Sequence, residues 1–226
     1  MHGLGIITQK QTVPLQRLYL GVRLGLFQLS LGILSVLVLG LLNRLLIQEI
    51  QLPAVLAALA IGGQQLMGFT RAWFGNRSDR IPLNRLRRTP FIVVSSLALA
   101  LLFGLACQLV LQLAAAMDAA RSGAVVVLMG LLVLVFIGIG TAIAAGGTAF
   151  SALIVDRTTD EERPRVLSVV WGMRLLGVLF GSFLVNQVFG SACAAGADTT
   201  AVLSGLGRLA VVTPLLLFGL GLVSVW

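Results

Sequence analysis

The sequence predicts an all-α polytopic membrane protein that crosses the bilayer six times, and three observations lead to this fold class. First, only 11% of the 226 residues are charged and 58% are hydrophobic, with a mean hydropathy of +1.02. Soluble domains carry roughly a quarter charged residues. Second, apolar stretches of about 20 residues, the length of a transmembrane helix, recur along the chain. Third, the basic residues cluster in the short loops between these stretches.

Six stretches have the length that a membrane crossing requires. In chain order they are residues 18–47, 53–74, 91–116, 124–150, 166–189 and 209–226. Residues 1–17 form a predicted cytoplasmic tail, and residues 18–226 form a lobe of six helices. Because no small-residue cleavage site follows the first apolar stretch, we expect it to be an uncleaved signal anchor.

The distribution of basic residues predicts the orientation of the chain. Leaving Arg174 aside, twelve basic residues precede or open the first span, or lie at or between the facing ends of spans two and three or of spans four and five, and three lie on the other side. The twelve are Lys10, Arg17, Arg23, Arg71, Arg77, Arg80, Arg85, Arg87, Arg88, Arg157, Arg163 and Arg165; the three are Arg44, Arg121 and Arg208. Since cytoplasmic loops are enriched in Lys and Arg, both termini are predicted to be cytoplasmic.

Composition also argues against several classes of function. The net charge of +8 arises from loops between spans, without the basic and aromatic surface typical of nucleic-acid binding. No nucleophile–base pair, metal-ligand spacing or phosphate loop indicates an enzyme. All eight acidic residues lie in loops or at span edges, and the one histidine is His2. A proton-coupled carrier usually needs a titratable group inside the membrane, so this lobe does not favour one.

The loop GNRSDRIPLNRLRRTP, residues 75–90, contains five arginines whose simplest role is to fix topology or hold anionic head groups. The order of residues in this loop is more specific than its charge. Gly75, Asp79 and Arg80, followed by Arg87 and Arg88, resemble the G-x-x-x-D-R signature loop of the major facilitator superfamily, between helices two and three. In such a loop Gly75 would allow close helix approach, and Asp79 would bridge neighbouring arginines.

Three further stretches narrow this resemblance to one branch of the superfamily. They are LNRLLIQEIQLP at 42–53, RRTPF at 87–91 and DRTTDEERPRVLSVVWGM at 156–173. Together they resemble the PucC family, which is tied to bacteriochlorophyll and chlorophyll delivery and to the assembly of antenna complexes. Relatives tend to carry a glycine shortly before the Arg-Arg pair, and residues 82–86 contain none. The family has about twelve spans in two lobes, so this chain resembles the N-terminal lobe of a major facilitator fold.

The resemblance implies a set of signature residues. They are Gly75, Asp79, Arg80, Arg87 and Arg88 in the first loop, Asp156, Arg157, Arg163 and Arg165 in the second, and Asn43, Arg44 and Glu49 at the end of span one. Without the resemblance, the last three are an interfacial polar cluster and the loop residues are solvated charges.

Four polar residues within the spans are candidates for binding a pigment or another ligand: Gln28, Gln64, Gln65 and Arg174. The glutamines either form hydrogen bonds between helices or supply an axial oxygen to a magnesium tetrapyrrole, because no histidine lies within the spans. Arg174 lies roughly two helical turns beyond Arg165. Its modest depth favours a side chain that snorkels to the cytoplasmic surface. The alternative is a cation facing the interior of the lobe, where it would bind an acidic group on a pigment or lipid.

The resemblance therefore implies a membrane assembly factor for light-harvesting or photosystem complexes that binds or delivers chlorophyll or bacteriochlorophyll. The expected location is a photosynthetic membrane, either thylakoid or bacterial inner membrane. Expected partners are the lipid bilayer, chlorophyll-binding antenna or photosystem proteins, and a second lobe or another copy of the chain. Two alternatives are half of a major-facilitator solute transporter and a structural subunit that docks on a pigment–protein complex.

Overall fold

The computed structural model describes residues 4–80, 89–194 and 199–225, and all regular structure in these ranges is helical. The α-helices are α1 (Leu4–Ser35), α2 (Ala54–Leu66), α3 (Thr70–Arg80), α4 (Thr89–Asp118), α5 (Ser122–Arg157), α6 (Arg163–Ala194) and α7 (Thr199–Val225). Two π-helical segments, Val36–Leu42 and Leu45–Glu49, continue the path of α1, and a 3₁₀ turn, Met67–Phe69, joins α2 to α3.

Within the described ranges, five helical stretches are long and apolar enough to cross a membrane. They are Leu18–Glu49, Thr89–Asp118, Ser122–Arg157, Arg163–Gln187 and Leu203–Val225. They coincide with the first, third, fourth, fifth and sixth stretches that the sequence predicts. Many large apolar side chains on these helices are exposed, including Leu101, Leu134 and Leu179. The chain is therefore an integral membrane protein whose outer surface suits contact with lipid.

The second predicted stretch, residues 53–74, is divided in the structure. Helix α2 has 13 residues, the turn Met67–Phe69 follows, and α3 has 11 residues. Neither helix alone reaches the length of about 20 residues that a span requires. Glycines at 62, 63 and 68 weaken the helix here, and the Thr70 hydroxyl donates a hydrogen bond to the Met67 carbonyl oxygen across the turn (2.6 Å).

The divided segment nevertheless follows one line along α5. A Cβ added at Gly63 would lie 3.3 Å from Ile137 of α5, and one added at Gly75 would lie 3.4 Å from Thr148. Residue numbers rise together along the two elements, so α2, the turn and α3 run parallel to α5.

Other glycine contacts define the directions of the remaining helices. A Cβ at Gly21 would lie 3.2 Å from Val169, and one at Gly181 would lie 3.1 Å from Ile33, so α1 and α6 are parallel. By the same measure Gly138 contacts Leu102 and Gly146 contacts Ser95, which makes α4 antiparallel to α5. Contacts of Gly104 with Pro214 and of Gly221 with Ser96 make α4 antiparallel to α7.

The last helix begins earlier than the sequence predicts. It starts at Thr199 rather than at residue 209, so Pro214 lies inside the helix and not near its start. Arg208, which led to the later predicted start, has an exposed side chain and so interrupts neither the helix nor its buried face. The ring of Pro214 faces Gly104 of α4, which leaves room for it. Neighbouring helices often allow proline within membrane helices in this way.

Candidate ligand-binding cavity

All four predicted ligand candidates line one cavity of about 420 Å³, here called the inner cavity. This volume lies within the range of small-molecule sites. Four parts of the chain form its wall: α1, the segment from α2 to α3, α5 and α6. The lining residues are Gln28, Leu31, Leu34, Ser35, Leu39, Gln64, Gln65, Arg71, Ile143, Gly147, Thr148, Ser151, Trp171 and Arg174.

One wall of the inner cavity depends on a glycine contact between α1 and α6. A Cβ added at Gly32 would lie 3.0 Å from the Cα of Gly177, and one added at Gly177 would collide with the carbonyl oxygen of Leu29. Only glycine allows backbones to approach this closely. The contact brings Gln28 and Arg174 together although they are 146 residues apart in sequence, and Arg174 Nη1 donates a hydrogen bond to Gln28 Oε1 (3.1 Å).

The guanidinium group of Arg174 is held inside the lobe. Besides the bond to Gln28, its Cζ lies 5.7 Å from the centroid of the Trp171 ring, within the range of a cation–π contact. The side chain is partly buried. In the structure the side chain thus reaches α1 and lines the inner cavity, the geometry that the second sequence interpretation of Arg174 describes. The sequence favoured the other interpretation because the contact with α1 depends on tertiary packing.

Gln64 lies near the end of α2, where the backbone of α2 is in close contact with the backbone of α5. A Cβ added at Gly140 would collide with the Gln64 carbonyl oxygen and lie 2.8 Å from its Cα. The side-chain oxygen Oε1 of Gln64 is buried and has no hydrogen-bond partner. An unpaired buried oxygen costs free energy of roughly 1–3 kcal/mol, so a rotation of the side chain that turns this oxygen into the inner cavity would let it gain a partner from a ligand. Gln65, its neighbour, is exposed.

Sequence reasoning missed several lining residues. In the sequence, Arg71 served only to predict the orientation of the chain, and no sequence pattern singled out Trp171. Three hydroxyl residues, Ser35, Thr148 and Ser151, donate to carbonyl oxygens of their own helices at 2.7 to 2.9 Å. Among the described lining residues there are two arginines and no acidic side chain, so the inner cavity carries positive charge.

The second loop motif lies beside the inner cavity. Arg163 Nη2 forms an ion pair with Asp160 Oδ1 (2.9 Å), and Arg163 also lines a cavity of about 240 Å³ that shares Gln28 and Trp171 with the inner cavity. Asp156, Arg157 and Arg165 have exposed side chains. The structure thus brings Arg163, alone of these four, next to the ligand candidates.

The first loop motif is only partly described. Arg87 and Arg88 lie outside the described residues, as do the side chains of Asp79 and Arg80, whose backbone ends α3. Gly75 lies on α3 against Thr148, and the 3.4 Å spacing there is an ordinary van der Waals contact. The space around Gly75 therefore does not itself require glycine.

Two of the three signature residues at the end of span one, Arg44 and Glu49, line a different cavity, here called the outer cavity. Its volume is about 200 Å³, and Arg44, Glu49 and Phe189 are among its lining residues. Arg44 Nε donates a hydrogen bond to Gln48 Oε1 (2.8 Å). Asn43 is partly buried in the stretch between the two π-helical segments and is not part of this lining.

Comparison with known proteins gives the family. The model of the PUCC protein family matches residues 41–222. The chain belongs to the PUCC protein family. This match covers Gln64, Gln65 and Arg174 of the inner cavity and the three signature residues at the end of span one, and Gln28 lies before it.

Three curated proteins that match this chain come from Rhodobacter capsulatus. An "Uncharacterized protein in puhA-bchM intergenic region" is 36% identical over 73% of this chain and 34% of its own length. A "Bacteriochlorophyll synthase 44.5 kDa chain" is 32% identical over 66% of this chain and 32% of its own length. A "Protein PucC" is 31% identical over 73% of this chain and 35% of its own length.

The chain thus matches about a third of the length of each of these curated relatives. No solved structure matches it.

Proposed function

We propose that this PUCC family member is a membrane factor for the assembly of light-harvesting or photosystem pigment–protein complexes. We propose further that its inner cavity takes chlorophyll or bacteriochlorophyll as cargo. Family membership carries the first part, and the names of two relatives, "Bacteriochlorophyll synthase 44.5 kDa chain" and "Protein PucC", support it. The convergence of Gln28, Gln64, Gln65 and Arg174 on one cavity supports the second part.

The chemistry of the inner cavity suits a magnesium tetrapyrrole. Leu31, Leu34 and Ile143 provide apolar wall for a flat macrocycle. Magnesium prefers oxygen ligands, and the unpaired Oε1 of Gln64, once turned into the cavity, would supply one directly or through water. Cavities of this kind, apolar with a few convergent polar groups, are typical of ligand sites.

We also propose that the chain crosses the membrane six times, as one lobe of a major facilitator fold. Helices α5 and α6 are joined by a short turn at residues 158–162. Ile154 and Leu167, on its two sides, line one cavity, and Gly147 and Arg174, further from the turn, line the inner cavity. This makes α6 antiparallel to α5. Since α1 is parallel to α6 and α4 is antiparallel to α5, α1 and α4 point the same way.

The chain must therefore return between Glu49 and Thr89. The segment that contains α2, the turn and α3 runs parallel to α5, which is the direction this return needs. The segment is 27 residues long from Ala54 to Arg80, roughly 40 Å at 1.5 Å per residue, enough to cross the hydrocarbon core. With six crossings, we propose that both termini are cytoplasmic, a proposal that the excess of basic residues in the N-terminal tail and in the loops after spans two and four supports.

Cysteine labelling tests this topology. After Cys107 and Cys193 are replaced by Ala, single cysteines are introduced at Lys10, Asp118, Asp160 and Asp198. Six crossings predict that the Asp118 and Asp198 sites react from the outside and the Lys10 and Asp160 sites only from the cytoplasm. If the segment from α2 to α3 does not cross, Asp118 will fall on the same side as Lys10, and the six-span proposal is wrong.

The pigment proposal is tested by purifying the intact chain in mild detergent from a bacteriochlorophyll-producing host. We expect bound pigment with an absorbance band shifted from that of free pigment. The control is the same purification from cells that lack the chain. If the folded chain carries no pigment above this control, the proposal of direct pigment binding is wrong. An assembly role through protein contacts alone would then be the better proposal.

A further inference from the structure

We infer that the inner cavity selects the free-acid form of the tetrapyrrole, whose propionate carboxylate is not esterified, over the ester. This inference rests on the proposed pigment cargo and names its chemical class more closely. The two forms differ in one property that a binding site can recognise: the free acid carries a negative charge and the ester does not.

The charge of the inner cavity is the first argument. Arg174 and Arg71 line it, and no carboxylate does so among the described lining residues. The one side chain with a hydrogen bond to Arg174 in this part of the chain is Gln28, whose amide is neutral. A cation held between membrane helices is costly unless an anion accompanies it. An anionic ligand would supply that missing charge.

The geometry around Arg174 is the second argument. The guanidinium group has five N–H donors, and the bond to Gln28 uses one of them. The Trp171 ring, 5.7 Å from Cζ, together with Gln28 fixes the orientation of the group. A fixed guanidinium fork binds a carboxylate through two parallel hydrogen bonds, whereas an ester oxygen accepts weaker, uncharged ones.

The unpaired oxygen of Gln64 is the third and independent observation. Gln64 Oε1 is buried without a partner on the segment from α2 to α3, while Arg174 lies on α6. Gln64 and Arg174 thus stand on separate walls of the inner cavity, which leucine side chains also line, and a turn of the Gln64 side chain would bring its oxygen into the cavity. A magnesium macrocycle with a free carboxylate presents complementary groups to both.

The experiment uses the intact chain in detergent and two pigments, bacteriochlorophyllide a and its methyl ester, which differ in charge but hardly in size. Titration followed by pigment absorbance should give roughly tenfold tighter binding of the free acid, the usual worth of a charge-assisted hydrogen bond. Arg174→Gln should remove this preference by weakening the acid alone. Arg174→Lys, which keeps the positive charge, should retain part of it.

Each outcome decides between the proposals. Equal affinity for acid and ester in the unmodified chain overturns the inference, and this comparison needs no variant that could misfold. Binding of neither pigment by the folded chain overturns the proposed pigment cargo instead. If equimolar phosphatidylglycerol displaces the free acid, the arginines of the inner cavity bind lipid phosphate, and the inferred selection of a pigment acid is overturned.

Discussion

The two cavities follow one another along the C-terminal half of α1 and its π-helical continuation, and both contain an arginine, but they satisfy it differently. In the outer cavity Arg44 donates to Gln48, which is one helical turn away, and the carboxylate residue Glu49 lines the same space. In the inner cavity Arg174 reaches a neutral amide on another helix, and Gln64 Oε1 has no partner.

This difference separates a local polar cluster from the proposed ligand site. Side chains at positions i and i+4 on a helix meet without help from the rest of the fold, so the pair of Arg44 and Gln48 needs no ligand to explain it. The polar groups of the inner cavity come from separate helices and require tertiary packing to converge. A fold that converges such groups and leaves one unpaired is better explained by a ligand than by stability.

The largest expected effect comes from separating α1 and α6. Gly177→Ala would place a methyl group against the Leu29 carbonyl oxygen, where only a backbone shift can make room. We expect a loss of about 1–3 kcal/mol in the free energy of unfolding, typical of overpacking, together with a loss of pigment binding. The measurement is reversible denaturation in detergent.

Gly172→Ala is the matched control on the same helix. No atom lies within 4 Å of a Cβ at Gly172, so its stability should change by no more than about 0.5 kcal/mol. If the two variants are equally stable, the glycine contact does not hold the wall of the inner cavity, and the convergence of Gln28 with Arg174 needs another explanation.

The sequence alone predicted much of the fold because hydropathy is a local property. Five apolar stretches recur in the structure as long helices, and Gln28, Gln64, Gln65 and Arg174 were found because polar side chains are rare within spans. The structural features that were not predicted from the sequence depend on packing between helices. The orientation of Arg174 follows from the contact of Gly32 with Gly177, and the role of Trp171 follows from Arg174.

Breaks within helices were also beyond local reasoning. The turn at Met67–Phe69 and the π-helical segments after Ser35 leave the apolar pattern intact, so hydropathy does not report them. The early start of α7 was missed for the opposite reason, because Arg208 looks like a boundary when its exposure is unknown.

A second prediction distinguishes the two adjacent glutamines. Gln64→Leu removes the unpaired buried oxygen, so it should lower pigment affinity while leaving the free energy of unfolding unchanged or raising it by about 1 kcal/mol. Gln65→Leu, at an exposed position, should affect pigment binding much less. Pigment titration and denaturation of both variants measure this. Equal loss of binding in both, or in neither, would remove Gln64 from the site.

A third prediction concerns the aromatic support of Arg174. Trp171→Leu keeps an apolar side chain but removes the ring, so we expect about a two- to fivefold loss of affinity for the free-acid pigment. Affinity for the methyl ester should change less. Trp73→Leu is the control, since Trp73 on α3 is about as exposed as Trp171 (62% against 58%) but contacts Phe74 rather than an arginine. An equal loss for acid and ester would mean that Trp171 contributes packing area alone.

The smallest expected effect is at the outer cavity. Arg44→Gln removes an exposed hydrogen bond to Gln48, and such surface interactions contribute about 0.5 kcal/mol or less. Its pigment affinity should equal that of the unmodified chain, whereas Arg174→Gln should weaken the free acid roughly tenfold. Both substitutions remove one positive charge, Arg44 from the stretch between the two π-helical segments and Arg174 from α6, so a general effect of charge would appear in both. Equal losses would make the outer cavity a second functional site, because the local pairing of Arg44 would then not account for its presence.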